Sequence, residues 1–165
     1  MTTGERIKRS SFTSVLEKMC TILDADNHTL VTWKVFFSNV KFSANVEVQS
    51  LWVAGSYARG ATDCGDLDIV MEFTAPHPLL PTGRQAGKSI FKNYRRVNIS
   101  GGTPTENESG VKFDDAILIW QGKGFHWEKV ISNIKENSTA SRYVRPTDSI
   151  PFRPEQLAME VDELE

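Results

Sequence analysis

Apolar residues recur at helical spacing near the start of the chain and at alternate positions in its middle. The three-and-four spacing between Ile7 and Leu23 predicts an amphipathic helix over about residues 5–23. The apolar residues between Leu30 and Val40 share a helical face as well, although their β-branched and aromatic content also allows a strand. We predict a second helix there and keep a strand as the alternative.

Four later segments have the apolar content of strands. Residues 46–54 become continuously apolar toward their end, as in a strand that enters a buried sheet. Residues 66–73 alternate, so that Asp66, Asp68, Val70 and Glu72 share one face while the other face is wholly apolar. Residues 94–100 and 111–120 are further strand candidates, joined by a polar loop rich in turn residues.

Helical patterns reappear in the second half of the chain. One helix is expected to begin near Gln85, another covers 125–137, and a terminal helix over 154–165 has Pro154 in its first turn. Together with the strands, these helices predict an α+β fold with a small mixed sheet and helices packed on one face. The length of 165 residues fits a single domain over 1–165, with a core at about 46–120 and a helical or loop appendage at 121–165.

Composition and charge limit the classes of partner. Hydrophobic residues make up 39% and charged residues 24% of the chain, as in soluble globular proteins. A net charge of −2 argues against a surface that grips duplex nucleic acid throughout. Any such contact must be local, and the best candidate is 84–96, where five basic residues occur without an acidic one. An ordinary solvated helix face is the competing interpretation.

The cysteines and the hydropathy pattern indicate a cytoplasmic protein. Cys20 and Cys64 have neither metal-ligand nor redox-motif spacing, so we expect reduced thiols. No stretch approaches about 18 consecutive apolar residues, and we therefore expect no membrane partner.

The loop that follows residues 46–54 has the chemistry of a phosphate cradle. Glycine at position 55 lets the backbone approach a ligand closely, and consecutive amides in a tight loop form a concavity for anionic oxygens. Ser56 adds a hydroxyl donor, and the forked guanidinium of Arg59 can reach the same anion.

Asp66 and Asp68 lie side by side on the strand after this loop, where their repulsion calls for a divalent cation. Hard oxygen ligands favour Mg²⁺, which keeps waters and substrate phosphates in its remaining positions. Two such ions about 3.5–4 Å apart would serve an in-line phosphoryl displacement, and Mn²⁺ could replace them. Two solvent-facing aspartates on an edge strand are the alternative.

The segment "GSYARGATDCGDLDIV" resembles the signature of the DNA polymerase β-like nucleotidyltransferase superfamily, a Gly-Ser turn followed by Asp-x-Asp in a strand. Its spacing is most similar to family X DNA polymerases. The resemblance covers about residues 51–73. It implies a polymerase β palm-like fold and a reaction in which a hydroxyl attacks the α-phosphorus of a nucleoside triphosphate (NTP) and pyrophosphate leaves.

The resemblance also implies roles for individual residues. The loop residues Gly55, Ser56, Arg59 and Gly65 would hold the triphosphate, while Asp66 and Asp68 would hold Mg²⁺. A third carboxylate is expected from the strand candidate at 111–120, where alternation admits only one of two neighbours. The apolar-Asp pattern at Phe113 favours Asp114 as the third metal ligand and catalytic carboxylate, and Asp115 stays open because it precedes the apolar run directly.

The resemblance ends outside this segment. The DNA-binding hairpins and the thumb of family X polymerases are not recognisable, so a minimal nucleotidyltransferase fits the length better than a templated polymerase. The acceptor could be a protein, a nucleic acid or a small molecule. The alternative is a partner-dependent or non-catalytic module, similar to the antitoxin-type minimal proteins that pair with a small helical protein.

Overall fold

A five-stranded mixed sheet forms the centre of the computed structural model, which describes residues 5–35, 37–138 and 140. In chain order the elements are β1 (Ile7–Lys8), α1 (Arg9–Ala25), β2 (His28–Lys34), β3 (Lys41–Ala54), α2 (Gly55–Ala58), β4 (Asp63–Cys64), β5 (Leu67–Thr74), α3 (Gly83–Phe91), β6 (Val97–Gly101), β7 (Ile117–Trp120) and α4 (Trp127–Asn133). The short strands β1 and β4 pair separately from the main sheet.

The long strand β3 organises the sheet. It pairs antiparallel with β2 along its first half, and its second half lies between β5 and β7. Val53 is the partner of both Ile69 and Ile117, so the end of β3 meets the beginning of β5 and of β7. Beyond β5, β6 adds in parallel and places Asn98 beside Asp68. Residues that flank these strand ends are thereby gathered at one end of the sheet.

The helices and one face of the sheet share one hydrophobic core. Leu67, Ile69, Met71 and Phe73 of β5 belong to the same buried cluster as Leu16 of α1. Residues of α3 and α4 complete this cluster: Ala86, Ile90, Phe91, Trp127 and Ile131. Helices α1, α3 and α4 thus share one core with the apolar face of β5, and the predicted α+β fold with a mixed sheet is confirmed.

A pair of indoles fixes the C-terminal part of this core. Trp120 and Trp127 both donate their indole N–H groups to the carboxylate of Asp24, at 2.8 and 2.7 Å. Asp24 therefore satisfies two buried donors at once and ties α1 to β7 and α4.

The structure corrects several predicted elements. The helix expected between Leu30 and Val40 is wrong, because residues 28–34 form β2, with Val31 and Trp33 buried and their neighbours exposed. The long ladder with β3 satisfies this backbone and overrides the helical spacing. The first helix is confirmed, displaced by a few residues, whereas the strands at 94–100 and 111–120 begin only at Val97 and Ile117. The predicted helix at 154–165 lies outside the described residues.

Within the described ranges, every helix is too short or too polar to cross a membrane.

Candidate active site

Gly55, the first residue of the short helix α2, forms a tight turn directly after the end of β3. Its φ of +69° lies in the left-handed region, which disfavours residues with a Cβ. A Cβ at this position would come within 2.7 Å of Oδ2 of Asp68. The glycine is therefore required both by the turn and by the close approach of the Asp68 carboxylate to the backbone.

Asp66 and Asp68 are held together by an amide from the neighbouring strand. Nδ2 of Asn98 donates to Oδ2 of Asp66 at 3.0 Å and to Oδ1 of Asp68 at 3.2 Å. The parallel register of β5 and β6 places Asn98 directly opposite Asp68. The expectation that the two aspartates project side by side is confirmed, with a donor between them that sequence reasoning missed.

The environment of Asp68 disfavours its negative charge. Burial raises the pKa of this carboxyl to about 6, and the nearby charge of Asp66 adds to the effect. The hydrogen bond from Asn98 opposes the rise in pKa; Asp115 adds a smaller increase and Arg59 a smaller decrease. The surrounding protein thus supplies too little positive charge to balance the Asp68 carboxylate, so a cation at this position would be stabilised.

Asp115 is the aspartate of the "DD" pair that reaches the glycine turn. Its Oδ1 accepts the backbone N–H of Gly55 at 3.2 Å, and its Oδ2 accepts a charge-assisted hydrogen bond from Arg59 at 2.6 Å. The side chains of Asp115 and Arg59 are only 21% and 14% exposed, so this ion pair is largely shielded from water. Asp114 is exposed.

The structure brings Asp115, which the sequence left open, to the glycine turn, whereas Asp114, the predicted third carboxylate, is exposed. The reason is local, because residues 114 and 115 lie in a turn and β7 begins only at Ile117. Side-chain alternation applies within a strand and cannot select between two turn residues.

The remaining loop residues lie around the same turn with different partners from those expected. Arg59, predicted to face phosphate, is bound to Asp115. Burial raises the pKa of the Cys64 thiol, and a hydrogen bond from Ser56 opposes part of that rise. Gly65 accepts a hydrogen bond at its carbonyl oxygen from Arg96, at 3.1 Å. Gly55, Ser56 and Arg59 are brought together, whereas Gly65 is engaged on the side of β6.

Arg9, which sequence reasoning also missed, binds the backbone of the loop. This arginine is 7% exposed and donates to the carbonyl oxygens of Tyr57 at 2.7 Å and Ala61 at 3.1 Å. Its guanidinium also stacks 3.8 Å from the centre of the Tyr57 ring. The first helix therefore fixes the backbone of the candidate phosphate loop.

A cleft rich in cations is lined by residues of α3, of β6 and of the segment between them. It has a volume of 460 Å³, and we call it the basic cleft; its lining residues are Arg84, Lys88, 92–97, Asn98, Ile99 and Ser100. The two elements that form it are joined by Glu108, which accepts the backbone N–H groups of Gly83 at 2.9 Å and Gly101 at 3.0 Å. Asn98 belongs both to this cleft and to the aspartate pair.

The metal chemistry open to the site is that of two neighbouring carboxylates, of which Asp66 is exposed and Asp68 is partly buried. Over residues 5–35, 37–138 and 140, no group of three carboxylate, imidazole or thiol side chains is arranged to hold a metal ion by itself. Mg²⁺ does not require such a cage, since it is usually held by one or two carboxylates together with waters and substrate phosphates. The pair of Asp66 and Asp68 meets that smaller requirement.

Comparison with protein-family models, curated proteins and solved structures found no match to this chain.

Proposed function

We propose that the protein is a Mg²⁺-dependent nucleotidyltransferase, which moves a nucleoside monophosphate from an NTP to an acceptor hydroxyl and releases pyrophosphate. The observation that carries the proposal is the linkage of three aspartates at one end of the sheet. Asn98 joins Asp66 to Asp68, Asp68 lies against Gly55, and Gly55 is bonded to Asp115. Carboxylates around a glycine turn suit phosphoryl transfer, which depends mainly on positioning and charge neutralisation.

Asp66 and Asp68 are the proposed ligands of Mg²⁺, with Mn²⁺ as a substitute. When bound, the ion would neutralise charge on the triphosphate oxygens and on the leaving pyrophosphate. The raised pKa of Asp68 supports this assignment, since a carboxyl that lacks a compensating charge gains most from a cation. Asn98 holds the two carboxylates in a fixed relation and thereby limits the reorganisation that binding requires.

Arg59 and Asp115 have coupled roles in this proposal. A triphosphate oxygen replaces Asp115 as the partner of Arg59, and the turn residues Gly55 and Ser56, with Gly65, line the phosphate position. Asp115 then keeps its bond to the Gly55 amide and has one oxygen available to accept the proton of the attacking hydroxyl. The ion pair thus keeps both side chains in place before the nucleotide enters.

A transfer screen tests the proposed reaction. Each NTP, labelled at the α-phosphate, is incubated with Mg²⁺ and the full chain in the presence of primed DNA, tRNA, a single-stranded RNA and the protein itself. The expected result is label on one acceptor and release of pyrophosphate, both abolished in Asp66→Asn/Asp68→Asn. Label transfer that persists in this double variant at the wild-type rate would contradict the assignment of the two aspartates.

The second candidate is a partner-binding module with this fold, and two observations favour it. Asp115 already neutralises Arg59, so the loop is electrostatically satisfied without a nucleotide. Exposed apolar side chains at Val40, Leu79 and Leu80 offer surface for a protein partner. Failure of the wild-type chain to bind any NTP in the presence of Mg²⁺ would favour this candidate over the enzyme.

A further inference from the structure

The basic cleft concentrates positive charge on a protein whose net charge is −2. Five of its lining residues are basic and none is acidic. The basic residues are Arg84, Lys88, Lys92, Arg95 and Arg96. Such a local excess, in an otherwise slightly acidic chain, indicates a binding site for an anion with several charges.

Within the described residues, three of these cations are available to a ligand without breaking a salt bridge or a hydrogen bond. Arg95 forms an exposed salt bridge with Glu5, and Arg96 donates to the carbonyl oxygen of Gly65. Arg84, Lys88 and Lys92 form no salt bridge within the part of the chain that the structure describes. They lie on α3 and directly after it, so they present charge along the cleft rather than at one point.

Two residues connect the basic cleft with the carboxylate cluster. Asn98 lines the cleft and donates to both Asp66 and Asp68, and Arg96 lines the cleft and bonds to the residue that precedes Asp66. The aspartates repel phosphate, whereas the cleft attracts it. A chain of phosphates held in the cleft would therefore stop where the carboxylates begin, with its terminal group beside them.

We propose that the basic cleft binds the phosphodiester backbone of a single-stranded nucleic acid whose terminal hydroxyl is the acceptor of the transfer, an inference that rests on the proposed function. A duplex requires a large interface, whereas 460 Å³ accommodates only a short length of one strand. Half-buried Tyr94 adds an aromatic surface to the lining, which a base of a single strand can stack on.

Binding of fluorescein-labelled 12-nucleotide RNA and DNA strands tests this assignment. Anisotropy is measured on the full chain with EDTA and without NTP, between 0.05 and 0.2 M KCl. Each phosphate contact with a single strand contributes about −0.7 to the slope of log affinity against log salt, so three cations predict a slope of about −2. Arg84→Gln/Lys88→Gln should reduce the slope to about −0.7 and weaken binding about 25-fold at 0.1 M salt.

The matched control is Lys18→Gln/Lys123→Gln, which removes the same charge from two exposed positions outside the cleft. It should bind the strands within twofold of the wild type, and circular dichroism should show both double variants folded. If both double variants weaken strand binding equally, the assignment is overturned, because the loss of affinity would then follow from the net charge of the protein and not from the cleft.

Inorganic tripolyphosphate distinguishes the two sources of phosphate. If the cleft instead serves the NTP, tripolyphosphate binds it and the 12-nucleotide strands do not, which overturns the inference while leaving the proposed function standing.

The variant Asp66→Asn/Asp68→Asn should bind the strands at least as tightly as the wild type, since it removes negative charge near the cleft. If the chain binds the 12-nucleotide strands but binds neither Mg²⁺ nor NTP, the assignment of the cleft stands and the proposed nucleotidyltransferase activity is refuted.

Discussion

Asp115 accepts the backbone N–H of Gly55 at 3.2 Å, across a separation of 60 residues in the sequence. The same carboxylate binds Arg59, so it fixes both the turn and the cation of the candidate loop. Asp115→Asn should therefore destabilise the protein by about 1–3 kcal/mol, the cost of weakening a shielded charge-assisted bond. Urea unfolding measures this difference.

The adjacent Asp114→Asn provides the control for that substitution. Asp114 is exposed, so the variant should unfold within about 0.5 kcal/mol of the wild type. It should also retain nucleotide transfer, which Asp115→Asn should lose. A larger effect at position 114 than at 115 would show that the carboxylates have been assigned in the wrong order.

Gly55→Ala should destabilise the protein through a steric clash as well as through backbone strain. Gly110→Ala provides a comparison in which only the backbone strain is present. Gly55 and Gly110 have nearly equal φ values, +69° and +71°, so alanine at either position incurs the left-handed backbone cost of about 1–2 kcal/mol. Only position 55 adds a clash, because its Cβ would lie 2.7 Å from Oδ2 of Asp68 and nothing lies within 4 Å of a Cβ at position 110. Thermal and urea unfolding should show a greater loss for Gly55→Ala than for Gly110→Ala; equal losses would contradict the close approach of Asp68.

The raised pKa of Asp68 predicts a pH dependence of stability with a defined sign. The folded carboxyl titrates at about 6 and the ordinary value is 3.8, so between these pH values the folded state binds more protons than the unfolded state. The contribution of Asp68 therefore becomes less favourable as pH rises from about 4 to 6 and is constant above that range. At about 1.4 kcal/mol per pH unit, the loss is at most about 3 kcal/mol.

Urea unfolding of the wild type and of Asp68→Asn between pH 4 and pH 8 isolates this contribution. The stability of the variant relative to the wild type should increase up to about pH 6–7 and then level off. Added Mg²⁺ should recover part of the loss in the wild type only. A difference that does not change with pH would mean that Asp68 titrates normally.

Arg9→Gln should loosen the candidate loop from α1. The substitution removes donors from the carbonyl oxygens of Tyr57 and Ala61 in a buried setting, together with the stacking on the Tyr57 ring. A loss of about 2–4 kcal/mol is expected from these terms. Arg6→Gln is the control, because the salt bridge between Arg6 and Asp63 is partly exposed and should contribute at most about 1 kcal/mol. Hydrogen exchange should quicken in residues 57–62 only in Arg9→Gln, and protection equal to the wild type would contradict the anchoring role.

The sequence indicated those parts of the site that lie close together along the chain. Gly55, Ser56, Arg59, Asp66 and Asp68 belong to one strand, loop and strand, whose local pattern is strong. Asn98 and Arg9 were not foreseen, because their roles depend on the register of β6 with β5 and on the packing of α1 beneath the loop.

Two predictions depended on strand pairing that is distant in the sequence. The choice of Asp114 assumed that residues 111–120 form one strand, whereas the first six of them precede β7 and include the turn at 114–115. The strand itself begins where pairing with β3 begins. The helix predicted between Leu30 and Val40 failed because backbone pairing with β3 decided the conformation of β2. Local spacing carries no information about either pairing.

Isothermal titration of the full chain with NTPs, with and without Mg²⁺, tests the central claim most directly. The account predicts that the wild type binds at least one NTP and that this binding depends on Mg²⁺. Asp66→Asn/Asp68→Asn should lose the Mg²⁺-dependent part, and Asp114→Asn should keep it. Absence of Mg²⁺-dependent nucleotide binding in the folded wild-type chain would contradict the account.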